Sequence, residues 1–591
     1  MSGYTAPLAD IRFALSELAD LPRVSLLPGL GEATPDVVDA VLEEAARFAA
    51  EELAPLNRPG DAAGSQVRNR AVVTPPGFAE AYRAFWQGGW PALPFSPERG
   101  GQGLPELVAA AVNEIWQSAN MGFALCPMLT EGAVVTLERF AARELQDRYL
   151  PKLVSGEWTA TMNLTEPQAG SDLGAVKTRA EPRGDHFLLS GQKIFITWGD
   201  QDFTENIVHL VLARLPEAPP GSKGLSLFLV PKYLVRDDGS LGDRNDVFPV
   251  SVEHKLGIHA SPTCVMSYGD HGGAIGYLVG KPHDGISCMF TMMNHARLAV
   301  GIQGLSISER AYQQARGYAR ERVQGRAAGR KGPVTIVHHA DVRRMLMIMK
   351  AGTEAMRGLC YATAASLDYL RHAPEEGLKR GHEERFALLT PIVKGWCTEL
   401  GQEITSLGIQ VHGGMGYVEE SGAAQHFRDA RITTIYEGTT GIQAADLVGR
   451  KLIRDGGQAM ANLIAEINGT IRDLGGAGDA GLTAVANRLA GGLTALEKAT
   501  AWVLEHHAAD ASSPGAASVN YMMLAGTVCG GWQMARAARA VLKNGMDAKF
   551  RQGKLATARF YMEHILPRSL AHLEAVLAGH ESIMALGEDQ F

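Results

Sequence analysis

His186-Phe187-Leu188-Leu189-Ser190-Gly191-Gln192-Lys193-Ile194-Phe195-Ile196-Thr197 carries its apolar residues at strand spacing, in a chain whose flanks carry theirs at helical spacing. His186–Leu189 and Ile194–Thr197 predict two strands around Ser190-Gly191-Gln192. The apolar run from Ile207 to Ala213, and Leu225, Leu227 and Leu229 alternating with Ser226, Phe228 and Val230, extend a small β domain to about Tyr277. Upstream, Thr34 is placed as an N-cap with Pro35 at the first helical position. Val37, Val38, Val41, Leu42, Ala45 and Phe48 then follow at helical spacing. This helical character persists to about Gly156, with breaks near Pro75 and at residues 100–103. Helical spacing returns at about Ile286 and runs through Met289 to Gln324, Thr335 to Leu370, Arg385 to Leu407 and Ala444 to Glu466. The order is α, β, α, so the expected class is α+β and multidomain. The expected boundaries are a lead at 1–33, helical domain 34–157, β domain 158–280, second helical domain 281–450 and helical extension 451–591.

A chain of 591 residues, 46% hydrophobic and 20% charged, has the composition of a globular protein too long for one core. Its formal charge of -8 gives no electrostatic reason to expect nucleic acid or an anionic membrane as partner. The six cysteines are scattered without a Cys-x-x-Cys pair, so reduced, mostly buried thiols are expected and no metal site. The adjacent pairs His338-His339 and His506-His507 cannot converge on one ion from a helix, where neighbours point about 100° apart. Met1 to Phe13 lacks a long apolar run and is not read as a signal peptide, so a cytoplasmic location is expected. Ala511 to Ala535 is free of charge but broken by Pro514, Asn520 and glycines; it reads as buried helix and loop, with no transmembrane segment.

Three short segments carry chemistry. Met162-Asn163-Leu164-Thr165-Glu166-Pro167-Gln168-Ala169-Gly170-Ser171-Asp172 is a strand end turning into a loop, whose small residues let backbone N–H groups approach a ligand, with Thr165 and Ser171 as hydroxyl partners. Taken alone it is equally a tight turn closed by an Asx bond from Asp172. Gln410-Val411-His412-Gly413-Gly414-Met415-Gly416-Tyr417 is a glycine-rich break between helices. Ile435-Tyr436-Glu437-Gly438-Thr439-Thr440, just after Arg428-Asp429-Ala430-Arg431, puts one carboxylate beside an aromatic ring and a glycine. Apolar neighbours disfavour the ionised form, which suits a carboxylate to act as a base toward a carbon-bound proton.

In order and spacing, these segments resemble the acyl-CoA dehydrogenase family over about Thr34 to Arg450. Tyr4-Thr5-Ala6-Pro7-Leu8 with Asp10, Arg12 and Phe13, together with the extension, is similar to a long-form bacterial subgroup. The resemblance implies a β-barrel-like middle domain and a four-helix bundle in the second helical domain. It implies FAD as a non-covalent cofactor and an acyl-CoA substrate oxidised at its α,β bond. Glu437 then removes the α-proton, while its backbone N–H and a flavin ribityl hydroxyl polarise the thioester carbonyl. Relatives with their base elsewhere carry it just before the arginine that is Arg297 here; this chain has Ala296 there. Position by position, Leu164 and Thr165 are implied at the flavin pyrimidine, Ser171 near the FAD phosphates and the acyl-CoA, Phe195 against the flavin and Thr197 at flavin N5. Arg297 neighbours CoA, Gly438 lies beside the substrate, and Thr439 lies beside the flavin or its phosphates. Arg322, Gln410 and Gly414 are implied to serve the FAD of a neighbouring subunit. Without the resemblance, Phe195 reads as an inward core residue and Arg297 as a solvated helix arginine. The chain departs from the family pattern at Asn163, Gln324 and Gln425.

Electron-transferring flavoprotein is the implied acceptor and a homodimer the implied assembly, with the extension covering the surface that otherwise joins two dimers. The alternatives are an acyl-CoA oxidase using dioxygen and a nucleic-acid-binding member of the superfamily. Glu588-Asp589-Gln590-Phe591 is not the peroxisomal address usual for such oxidases. Residues 451–591 hold 13 Lys+Arg against 13 Asp+Glu, so the extension lacks the basic excess that nucleic acid requires.

Overall fold

The computed structural model describes residues 3–507, 512–543 and 545–591, so Ala511, the start of the charge-free stretch, lies outside the described residues. The chain forms two compact units: Met1–Glu44, Pro105–Ser118 and Val300–Phe591 make one, and Ala45–Leu104 with Ala119–Ala299 the other.

In the second unit the strand period produces a barrel. The seven strands Val247–Val252, Thr263–Tyr268, His186–Thr197, Ala274–Val279, Leu225–Pro231, Ile207–Arg214 and Thr159–Asn163 hydrogen-bond in that order. The strand Arg179–Arg183 pairs with both His186–Thr197 and the end of Ile207–Arg214, which closes a ring of strands. Ser190-Gly191-Gln192 does not turn the chain: His186–Thr197 is one continuous strand. Thr178 crosses so close that a Cβ on Gly191 would sit 2.5 Å from its Oγ1, so the glycine marks an approach of two backbones and not a reversal. Leu189, Ile196, Val211 and Phe228 fill the barrel with Met266 and Tyr268.

The unusual Asn163 is absorbed here. Tyr268 O–H donates to Asn163 Oδ1 (2.8 Å), Asn163 Nδ2 donates to Thr161 Oγ1 (2.8 Å), and Thr161 meets His209 Nδ1 at 2.7 Å. Burial pulls the His209 imidazole down to about 3, so the ring is neutral where it meets Thr161. A buried amide is tolerated because every member of this chain finds a partner.

The first unit is helical. Thr34 caps as read: the Val37 N–H reaches its Oγ1 at 3.4 Å and the helix Pro35–Phe48 follows. The helices Ala340–His372 and Glu376–His412 form the central pair. The later part of the helix Gly285–Glu321 lies against them. A Cβ on Gly304 would meet the Cys397 carbonyl at 2.6 Å, so glycine permits near-contact of backbones. Arg357 ties this core by donating to Glu114 (2.7 Å) and Glu309 (2.8 Å). The stretch expected as one helix from Ala444 to Glu466 breaks at Gly456 and Gly457, both in left-handed backbone, before the helix Gln458–Gly475. All six cysteines are free and buried.

The extension packs through its helix Ser512–Ala540 onto the central pair. Cβ atoms on Gly395 and Gly526 would lie 2.3 Å from Met522 Sδ and 2.2 Å from Trp396 Cγ. Lys554 bridges Asp10 of the lead (2.5 Å) and Glu354 of the helix Ala340–His372 (2.9 Å), and Arg568 grips Glu403 through two nitrogens at 2.6 and 2.8 Å.

Candidate functional site

In the second unit, the strand Thr159–Asn163 ends in the loop that carries Leu164, Thr165 and Ser171. The Leu164 carbonyl accepts from Lys193 Nζ and the Thr165 carbonyl from the Ile194 N–H, each at 2.9 Å. The Glu166 carboxylate accepts from Lys193 (2.8 Å), Thr178 Oγ1 (2.5 Å) and the N–H groups of Lys177 (2.7 Å) and Thr178 (3.0 Å). The loop is therefore stapled to the strand bearing Phe195 and Thr197. Asp172 Oδ1 takes the Gly174 N–H at 2.8 Å, the Asx bond read from the sequence, and leaves Ser171 exposed at the loop tip.

Phe195 does not face inward. It has φ +58 and is 59% exposed, although Lys193 and Ile196 beside it are buried. Left-handed backbone is costly for a bulky residue and persists where the surroundings enforce it. Here it turns an aromatic face outward from a sheet. Thr197 ends the same strand, half-buried and paired with Thr263. Trp198 is also left-handed (φ +52) but buried, its Nε1 donating to the Gly122 carbonyl at 3.2 Å. Arg297 is not solvated: it is 4% exposed, with its guanidinium 5.9 Å from the centre of the Phe290 ring.

In the first unit, Glu437 has φ +55 and is half-buried. Its carbonyl accepts from Gln443 Nε2 at 3.0 Å, and the Gly438 carbonyl accepts from the buried Lys394 Nζ at 2.6 Å. Gly438 itself has φ +89, and a Cβ there would lie 2.7 Å from Gln443 Nε2, so only glycine fits. Thr439 Oγ1 caps the next helix by accepting the Ile442 N–H at 3.2 Å, and Thr440 donates to Glu399 at 2.5 Å. Tyr436 donates to the buried Gln303, and burial, then the Glu437 charge, push its phenol far above its ordinary range. The carboxylate thus sits on a backbone fixed from both sides. Such over-determined left-handed residues cluster at reactive sites.

Arg322, Gln410 and Gly414 come together at one end of this unit. Tyr318, one turn before Arg322, stacks on His412 at 4.5 Å, while Gln314 donates to the Ser421 carbonyl (2.7 Å) and meets His426 (2.9 Å). Arg322, Gln410 and Gly414 are exposed, as are Met415, Tyr417 and Val418. Gln425, at the departure from a basic residue, is buried and donates to Asp429 at 3.2 Å; Gln324 offers its carbonyl to His339 Nε2 at 2.7 Å.

Lys193, Glu166, Lys394 and Gln443 hold these segments, and none was singled out by motif. Burial would raise the Glu166 carboxyl, but Lys193 and the neighbouring donors hold it down to about 2; burial pulls the Lys193 ammonium down to about 8 against the pull of Glu166. The folded Glu166 value lies below the ordinary one, so its contribution to stability is present above about 4.5 and lost as pH falls toward 2. Lys193→Met strands a buried carboxylate and is expected to cost about 3–5 kcal/mol. Denaturant unfolding measures it, and an unchanged midpoint would show that the pair does not hold the loop.

Four family models match in chain order: the acyl-CoA dehydrogenase N-terminal domain at residues 36–157, its middle domain at 161–270, its C-terminal domain at 283–452, and an acetyl-CoA dehydrogenase C-terminal-like domain at 463–587. The chain belongs to the acyl-CoA dehydrogenase family, whose members are FAD enzymes. It is 46% identical to the 3-methylmercaptopropionyl-CoA dehydrogenase of Ruegeria pomeroyi over 98% of this chain and 99% of that one. It is 34% identical to a broad-specificity linear acyl-CoA dehydrogenase of Mycobacterium tuberculosis over the full length of both. The fold matches a Bacillus anthracis acyl-CoA dehydrogenase solved with FAD at a TM-score of 0.75 and 22% identity, covering 95% of this chain and 91% of that one.

Proposed function

We propose that this protein oxidises an acyl-CoA thioester to the trans-2-enoyl-CoA, with Glu437 as base, and passes the electrons to an electron-transferring flavoprotein. The observation that carries this reading is Glu437 itself, a half-buried carboxylate in left-handed backbone anchored by Gln443 and, through Gly438, by Lys394. A thioester α-proton is weakly acidic, so its removal needs a base held away from bulk water and oriented before the substrate arrives. FAD, when bound, supplies the hydride acceptor. Leu164, Thr165, Ser171, Phe195, Thr197 and Thr439 are the residues proposed to hold it, with Arg297 and Gly438 serving the acyl-CoA. The outward Phe195 ring fits a planar ring system, and the open space at Gly170, where a Cβ would meet nothing within 4 Å, fits a ligand drawn close to backbone.

The exposed Arg322, Gln410 and Gly414 with apolar Met415, Tyr417 and Val418 support a homodimer in which this end serves the partner's FAD. The identity to the Ruegeria enzyme makes 3-methylmercaptopropionyl-CoA the first thioester to assay, beside straight-chain acyl-CoAs. Substrate-reduced enzyme is expected to remain reduced in air for much longer than a turnover, because the enoyl product and packed helices keep oxygen from the flavin. Peroxide formed at the rate of substrate oxidation would identify an oxidase instead.

A further inference from the structure

A cleft of about 690 Å³ opens within the first unit, lined by the lead, both central helices and the extension. Its volume falls in the range of small-molecule sites, and its charges do not close among themselves. Arg385 is paired with Glu466, and Asp473 with Arg539. Among the described residues Arg536 donates only to the neutral Gln533 Oε1, at 2.9 Å, and no carboxylate lies within 4.0 Å of Arg536 or Arg23. Glu384, also on the wall, is paired with Arg380, while Glu466 and the exposed Asp20 both act on Arg536 from farther away. Burial, then the like charge of Arg385, bring the Arg536 guanidinium down to about 10 against the pull of Glu466 and Asp20. Arg385 and Arg536 both lie over the Trp532 indole, at 5.5 and 5.3 Å from its centre. Beside them Tyr369 and His382 stack at 4.1 Å and 8°, and the buried His382 Nδ1 has no hydrogen-bond partner among the described residues. Burial, then Arg385 and Arg23, pull this imidazole down to about 4, so it adds no charge at neutral pH.

We propose that this cleft binds a small aromatic phosphomonoester, its phosphoryl group taken by Arg536 and Arg23 and its ring set against the Tyr369–His382 stack. A phosphoryl group offers three oxygens, enough to bridge guanidinium groups from two helices, whereas a carboxylate satisfies one fork. Because the lead and the extension both line the cleft, an occupant would couple them and stabilise the fold by linkage.

The test uses FAD-loaded full-length enzyme with phenyl phosphate, inorganic phosphate and benzoate as probes, read by thermal shift and calorimetry. Phenyl phosphate is expected to raise Tm and to bind more tightly than either control. Arg536→Gln should weaken it about 10- to 100-fold, as loss of a charged hydrogen bond implies. Arg23→Gln, at an exposed position without an ion pair among the described residues, should weaken it in the same direction. No binding of phenyl phosphate, equal binding of benzoate, or undiminished binding in Arg23→Gln would each overturn the proposal.

Discussion

Glu437→Gln is expected to purify yellow, with flavin content unchanged, and to lose at least about 10³-fold in turnover, since a general base contributes on the order of 10²–10⁴. The amide matches the carboxylate in shape and keeps the backbone bonds from Gln443 and Lys394, which are made to carbonyls and not to the side chain. Only the capacity to take a proton is removed. Ala296, where some relatives carry their base, offers no substitute. Turnover with an artificial electron acceptor measures the loss, and near-wild-type activity in this variant would move the base elsewhere.

Truncation after Arg450 is expected to give insoluble or further-associating protein. The helix Ser512–Ala540 lies so close to the central pair that Trp396 and Met522 occupy the space where glycine side chains would be. Each large apolar side chain uncovered loses about 1.5–3 kcal/mol of burial, and a handful equals the 5–15 kcal/mol by which a domain is usually stable. Removing Lys554 also leaves Asp10 and Glu354 without their shared counter-ion. Light scattering should report a dimer for the full chain. A tetramer there, or a well-behaved dimer after truncation, would show that the extension has another role.

What was legible in the sequence was local. Thr34 and Pro35 announce a helix because cap and first turn are neighbours in the chain, and the change of period near His186 marks the sheet because side-chain alternation needs no partner to be seen. Long-range geometry was not. Ser190-Gly191-Gln192 has the composition of a turn, but Thr178 makes it a crossing point inside one strand. The pairing of Glu166 with Lys193 spans 27 residues and carries no motif. Phe195 in alternation reads as core, and only its left-handed φ turns it outward. Glu437 stood out beside Tyr436 and Gly438, whereas the groups that hold it, Lys394 and Gln443, look like ordinary helix residues until the fold brings them to its carbonyls.

The most direct test of the proposed chemistry is an anaerobic titration of the purified protein with saturated acyl-CoAs, 3-methylmercaptopropionyl-CoA first, following flavin absorbance and the thioester product together. The proposed reaction predicts that the flavin bleaches with one trans-2-enoyl-CoA formed per flavin reduced, and that Glu437→Gln, still carrying its flavin, does not bleach on the same timescale. Absence of bleaching with every acyl-CoA tried, or bleaching of Glu437→Gln at the wild-type rate, would contradict it.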